Sequence, residues 1–182
     1  MKKIVFFSIL IIALVGYVCY HFLIPINRPG TSGYIMKLDG ARALVVETAP
    51  HESGIYEATW VRIPFIKRIP GILYVGQMVA VDIFGGTDTS YPAQAAAKKI
   101  MVLDTDHPNE AVLAQDQVVQ AAVNNVADFE NWKAIKAISF NQEKAVWELQ
   151  IVDGSELNKK VIHVNVSDNE EKHVEIVDAK KE

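Results

Sequence analysis

Residues 34–46 read YIMKLDGARALVV. Two apolar runs flank Asp39-Gly40, and glycine reaches the positive φ that a tight turn between strands requires, so the stretch predicts a β-hairpin. The chain continues in the same manner. After Pro50-His51-Glu52-Ser53-Gly54, the run Ile55–Ile63 carries Tyr56, Thr59, Trp60 and Val61 and predicts a third strand. Gln77–Phe84 alternates between Gly76 and Gly85-Gly86 and predicts a fourth, and Lys98–Leu103 a fifth. Five short strands with glycine turns within residues 31–104 predict a small antiparallel β-barrel or curled sheet of the OB-like kind.

Beyond this unit, Asp104–Asn109 is polar, contains Pro108 and reads as a linker. It also divides the charge, with residues 29–103 at net +1 and residues 104–182 at net −8. In residues 109–182 the apolar positions Val112, Leu113, Val119, Ala122, Val123 and Val126 predict a helix from Glu110 to about Val126. Asp106 or Asn109 is its expected cap. The period then changes to two, predicting strands at Trp132–Phe140, Ala145–Val152, Lys160–Val166 and His173–Val177. A helix laid on an antiparallel meander, an α+β module, buries one face of each.

On the N-terminal side lies Ile4–Ile26, IVFFSILIIALVGYVCYHFLIPI, without a formally charged side chain. As a helix it would reach roughly 35 Å, enough to cross a bilayer's hydrocarbon core. Residues 1–28 are therefore expected to form a signal-anchor transmembrane helix contacting the lipid bilayer through residues 4–26. Lys2 and Lys3 before it place the C-terminal region outside the cytoplasm. Cleavage and secretion is one alternative, although Leu14, Ala13 and Gly16 make a poor cleavage site. Lipidation of Cys19, the single cysteine, is the other. With no second cysteine there is no intramolecular disulfide, so stability rests on core burial.

The run Gly85-Gly86-Thr87-Asp88-Thr89-Ser90-Tyr91-Pro92-Ala93-Gln94, continuing to Ile100, together with Gly33-Tyr34-Ile35 and Gly76-Gln77, resembles the YobA-like family of exported bacterial proteins of unknown function. The resemblance covers about residues 31–104. It implies an OB-like barrel outside the cell membrane and no particular chemistry. Many relatives are lipoproteins, whereas Gly16-Tyr17-Val18 before Cys19 lacks the residues lipidation needs. The order of a helix followed by antiparallel strands in residues 109–182 resembles PepSY-like modules. That resemblance implies binding or inhibition outside the cell, directed at peptidases or cell-wall enzymes.

Two stretches are candidate contact sites. Ser90, Tyr91 and Gln94 flank Pro92, which biases Tyr91 away from helix and suits a ligand-contact loop. The alternative is structural, with Tyr91 plugging one barrel end and Gln94 bonding a loop backbone. Phe65, Ile66, Lys67 and Arg68 lie between Pro64 and Pro70. There two apolar side chains suit insertion among lipid headgroups or docking on a membrane-bound partner, with two cations at the phosphates. The alternative is an irregular strand packed into the barrel.

Signals for chemistry are absent. His21, His51, His107, His163 and His173 show no zinc-binding spacing, Gly30-Thr31-Ser32-Gly33 is not a nucleophile elbow, and Gly85-Gly86-Thr87 opens no phosphate loop. Asp168, Glu170, Glu171, Glu175 and Asp178 lack the spacing of a calcium loop and read as a solvated tail. No catalytic residue, metal or cofactor is expected. The acidic half disfavours nucleic acid. The expected function is binding or interaction at the bacterial cell envelope with an envelope protein partner. The alternatives are an envelope enzyme, or an inhibitor or accessory factor of one, using a cleft between the modules at His51, Ser90 or His107, or oligosaccharide or oligonucleotide binding on barrel aromatics such as Tyr56 and Trp60.

Overall fold

A computed structural model describes residues 30–64, 71–127, 129, 131–156 and 160–181, with the backbone alone from 178 onward. The stretch at Asp39-Gly40 turns as its residues dictate. Gly40 takes φ 55°, and β1 (Thr31–Asp39) folds back on β2 (Arg42–Val46) with Asp39 opposite Arg42. With β3 (Ala58–Arg62), β4 (Met78–Phe84) and β5 (Ala93–Val102) they form a closed barrel in the order β1-β2-β3-β5-β4.

The barrel is not wholly antiparallel, which corrects the sequence-based expectation. β3 and β5 pair in parallel, Thr59 opposite Ala93 and Arg62 opposite Ala96. Direction forces this: β3 runs with β1, β4 runs against it, and the strand that fills the gap between β3 and β4 comes back from β4 along β3. β5 also starts five residues before the predicted Lys98. Its Ala93–Ala97 segment has weak strand propensity, but partners on both sides hold it extended, so tertiary context decides.

Side-chain alternation gives the barrel two apolar surfaces. Ile35, Val45, Val61, Val79, Val81 and Ile100 fill the interior. Tyr34, Met36, Leu44, Val46 and Ala58 point outward and are equally buried, because α1 (Gln115–Asn125) and a second sheet cover them. That sheet is the meander β6 (Lys133–Asn141), β7 (Val146–Asp153), β8 (Lys160–Ser167) and β9 (Val174–Lys181). Its Trp147, Leu149, Ile151, Val164 and Val166 join Val118, Val119, Ala122 and Val123 of α1 and the outward barrel residues in one apolar cluster. The core thus crosses the polar linker at residues 104–109.

The helix is shorter than its apolar spacing predicts. It begins at Gln115, and neither Asp106 nor Asn109 caps it. The cap position is Ala114, whose N–H donates to the Gln117 side chain at 3.2 Å. The preceding residues are held out of the helix by Asp168, whose carboxylate accepts the N–H groups of Val112 and Leu113, each at 2.8 Å. At the other end Lys133 Nζ donates to the carbonyls of Val123 and Val126, both at 2.7 Å, placing a cation on the helix's negative pole. Gly76 lets the helix approach the barrel. It has φ 98°, and a Cβ there would lie 2.4 Å from the Asp116 carbonyl oxygen.

Among the described residues no helix is long and apolar enough to cross a membrane. The expected anchor at residues 4–26 and the stretch Phe65, Ile66, Lys67, Arg68 lie outside the described residues.

Candidate functional site

The β4–β5 connection is organised by one carboxylate. Asp88 Oδ1 accepts hydrogen bonds from the Ser90 hydroxyl at 2.6 Å, the Gln94 N–H at 2.8 Å and the Ser90 N–H at 3.2 Å. The Asp88 N–H returns a bond to the Gln94 carbonyl at 3.1 Å, and the Ser90 hydroxyl also lies 2.8 Å from the Pro92 carbonyl oxygen. The Ser90 hydroxyl, and after it the Gln94 N–H, hold the Asp88 carboxyl below its ordinary pKa. The Tyr91–Pro92 peptide is cis.

Tyr91 does not plug the barrel, which corrects the structural alternative offered for it. It stands 58% exposed and sets its ring against Trp132, with centroids 4.7 Å apart and planes at 68°. That edge-to-face contact joins the barrel to the second sheet. Trp132 Nε1 donates to the Tyr56 carbonyl at 3.2 Å, and the Tyr56 N–H donates to the Gly154 carbonyl at 2.9 Å. Burial, then the Glu57 and Asp153 carboxylates, push the Tyr91 hydroxyl up from its ordinary pKa. Asp153, buried, is satisfied by Ser155, accepting its N–H at 2.9 Å and its hydroxyl at 2.6 Å. Gln94 is not a loop residue either. It sits in β5 opposite Trp60, with its side chain exposed. Ser90 and Tyr91 are therefore brought together at the junction, while Gln94 faces outward on the barrel wall.

A second feature lies where the linker crosses between the sheets. A cleft of about 370 Å³ is lined by Tyr34, Asp104, Asp106, Gln115, Lys136 and neighbours. The Gln115 amide donates to the Tyr34 hydroxyl, and Tyr74 donates to Asp116 beside it. Burial raises the Tyr34 pKa, with the Gln115 bond opposing and Asp106 and Asp116 adding. His51, Ser90 and His107 do not line this cleft. His51 instead lies 3.3 Å from Glu57 on the surface. His163 lines a shallow polar hollow of about 440 Å³ on the outer face of the second sheet, with Gln150 and Asn165.

The aromatic platform expected for oligomer binding is occupied. Tyr56 is 3% exposed within the shared core, and Trp60 is half-buried beneath Arg42, whose guanidinium carbon lies 5.0 Å from the ring centroid. Asp168 also departs from its expected place in a solvated tail. It is buried and accepts from Val112, Leu113 and, at 3.2 Å, Trp147 Nε1. Sequence reading missed it because its three donors lie far away in the chain. The available signal was a lone aspartate directly after an apolar strand. Among the described residues no group of three or more His, Cys, Asp or Glu is placed to hold a metal ion.

A family model described as a protein of unknown function, DUF3221, matches residues 32–104. No curated protein and no solved structure matches the chain. The matched segment coincides with the closed barrel.

Proposed function

We propose that the chain is a membrane-anchored extracytoplasmic binding protein of the bacterial cell envelope, with a barrel of the OB-like, YobA-like type and a PepSY-like second module. The strand order β1-β2-β3-β5-β4 with a single parallel pair supports the barrel assignment, and a helix preceding a four-stranded meander supports the second. The uncharged run Ile4–Ile26 supports the location.

The observation that carries the binding role is the Asp88-braced turn. It holds Tyr91 in one posture, largely exposed, at the seam of the two sheets, and a preorganised aromatic with polar neighbours is the usual centre of a recognition surface. An OB-like barrel commonly takes its ligand on the outer faces of β2 and β3. Here Leu44, Val46 and Ala58 on those faces are sealed by the second module, which favours a protein partner at the seam over an oligomer along the strands.

Affinity capture from intact envelope, using the full chain and a Tyr91→Ala variant, tests this. A partner retained by the wild type and lost several-fold by the variant is the expected result. Equal recovery by both would remove Tyr91 from the binding surface. A reporter fused after Glu182 and found inside the cell would overturn the location.

A further inference from the structure

The start of β1 lies few residues after the proposed anchor. The Gly30 N–H donates to the Val81 carbonyl at 2.8 Å, and a Cβ on Gly30 would lie 2.5 Å from Ile83, so the chain enters β1 pressed against the end of β4. Thr31 pairs with Val81 immediately afterwards. Only Asn27, Arg28 and Pro29 separate the apolar run from this point. Four residue steps span at most roughly 14 Å when fully extended. The end of the barrel where β1 begins and β4 finishes must therefore sit within that distance of the end of the apolar run.

At this same end β4 terminates in Phe84, 73% exposed, followed by Gly85-Gly86. Its neighbour Ile83 packs against the barrel interior, whereas the Phe84 side chain projects. β3 runs with β1, so the connection leaving Arg62 through Ile63 and Pro64, and returning through Gly71 and Ile72, departs from the opposite end. We infer that the end of β4 rests on the outer lipid interface with Phe84 inserted among the headgroups, and that Pro64 and Ile72, at the opposite end of the barrel, face away from the bilayer. This assigns the lipid contact to Phe84. Glu47, Glu57 and Asp88 lie in connections at the β1-entry end, so the lipid contact is apolar and held by the short tether, not by attraction to anionic lipid.

The inference rests on the anchor reading, and one experiment separates the two. Full-length Cys19→Ser/Phe84→Cys and Cys19→Ser/Ile72→Cys proteins carry an environment-sensitive thiol probe and are reconstituted into phosphatidylcholine vesicles containing a headgroup-region nitroxide lipid. Ile72 is 88% exposed and marks the far end, so neither label disturbs the core. Quenching several-fold stronger at position 84 than at 72 is expected. Vesicle-bound protein with equal or reversed quenching overturns this inference and leaves the anchor standing. Protein that fails to float with the vesicles overturns both.

Discussion

Single carboxylates do three different jobs in this molecule, and each makes a separate prediction. Asp168 satisfies three buried donors at once. Asp168→Ala strands all of them and is expected to cost about 3 kcal/mol or more. Asp168→Asn, which keeps one acceptor oxygen, should fall between, and denaturant unfolding reads the order. Glu47 behaves oppositely. Burial first, then Glu57, raise its pKa, with the Thr31 hydroxyl opposing at 3.5 Å. A carboxyl with a raised folded pKa contributes stability below its ordinary pKa and loses it as pH rises through the folded value. Glu47→Gln should therefore be as stable as wild type or slightly more stable at neutral pH, by less than about 1 kcal/mol. That advantage should vanish below about pH 4 in thermal melts. Asp88 has a lowered pKa, so the ordering it gives the Ser90–Gln94 turn is present above the ordinary aspartate value and lost as pH falls through the lowered one. Tyr91 fluorescence or hydrogen exchange at Gln94 should follow that loss.

At the scale of elements, the docking of α1 is set by close approach. Gly76 combines a left-handed φ with backbone contact to Asp116 and Gln120, so Gly76→Ala requires both strain and displacement of the helix. A loss of about 2–4 kcal/mol is expected, with hydrogen exchange rising across residues 115–125 before the barrel interior is affected. Leu44→Ala removes an outward barrel side chain buried under the second module, and should cost about 2–4 kcal/mol despite leaving the barrel interior intact. Strand positions were legible because alternation and turn residues act locally. The helix start was not, because it depends on Asp168, more than fifty residues away in the chain. β5 was partly hidden, because its alanines are held extended by neighbours on both sides.

For the molecule as a whole, the shared apolar cluster predicts one unfolding transition. Tyr34, Leu44, Val46 and Ala58 of the barrel share one buried cluster with Val118, Val119, Trp132 and the second sheet. Calorimetry should give a single endotherm, and a fragment of residues 30–104 should bind hydrophobic dyes or aggregate where one of residues 30–182 does not. Two separate transitions would show that the linker at residues 104–109 divides independent folding units.

The hairpin at Asp39-Gly40, the number of strands in each half and the helix-then-meander order follow from residue chemistry that operates over a few positions, so the chain specifies them unaided. The uncharged run at Ile4–Ile26 is equally explicit as composition. The parallel β3–β5 seam, the burial of Asp168, the sealing of the outer barrel face and the placement of Tyr91 against Trp132 depend on contacts between distant segments. Only the folded arrangement brings those segments within hydrogen-bonding and van der Waals range, and there burial outweighs local preference.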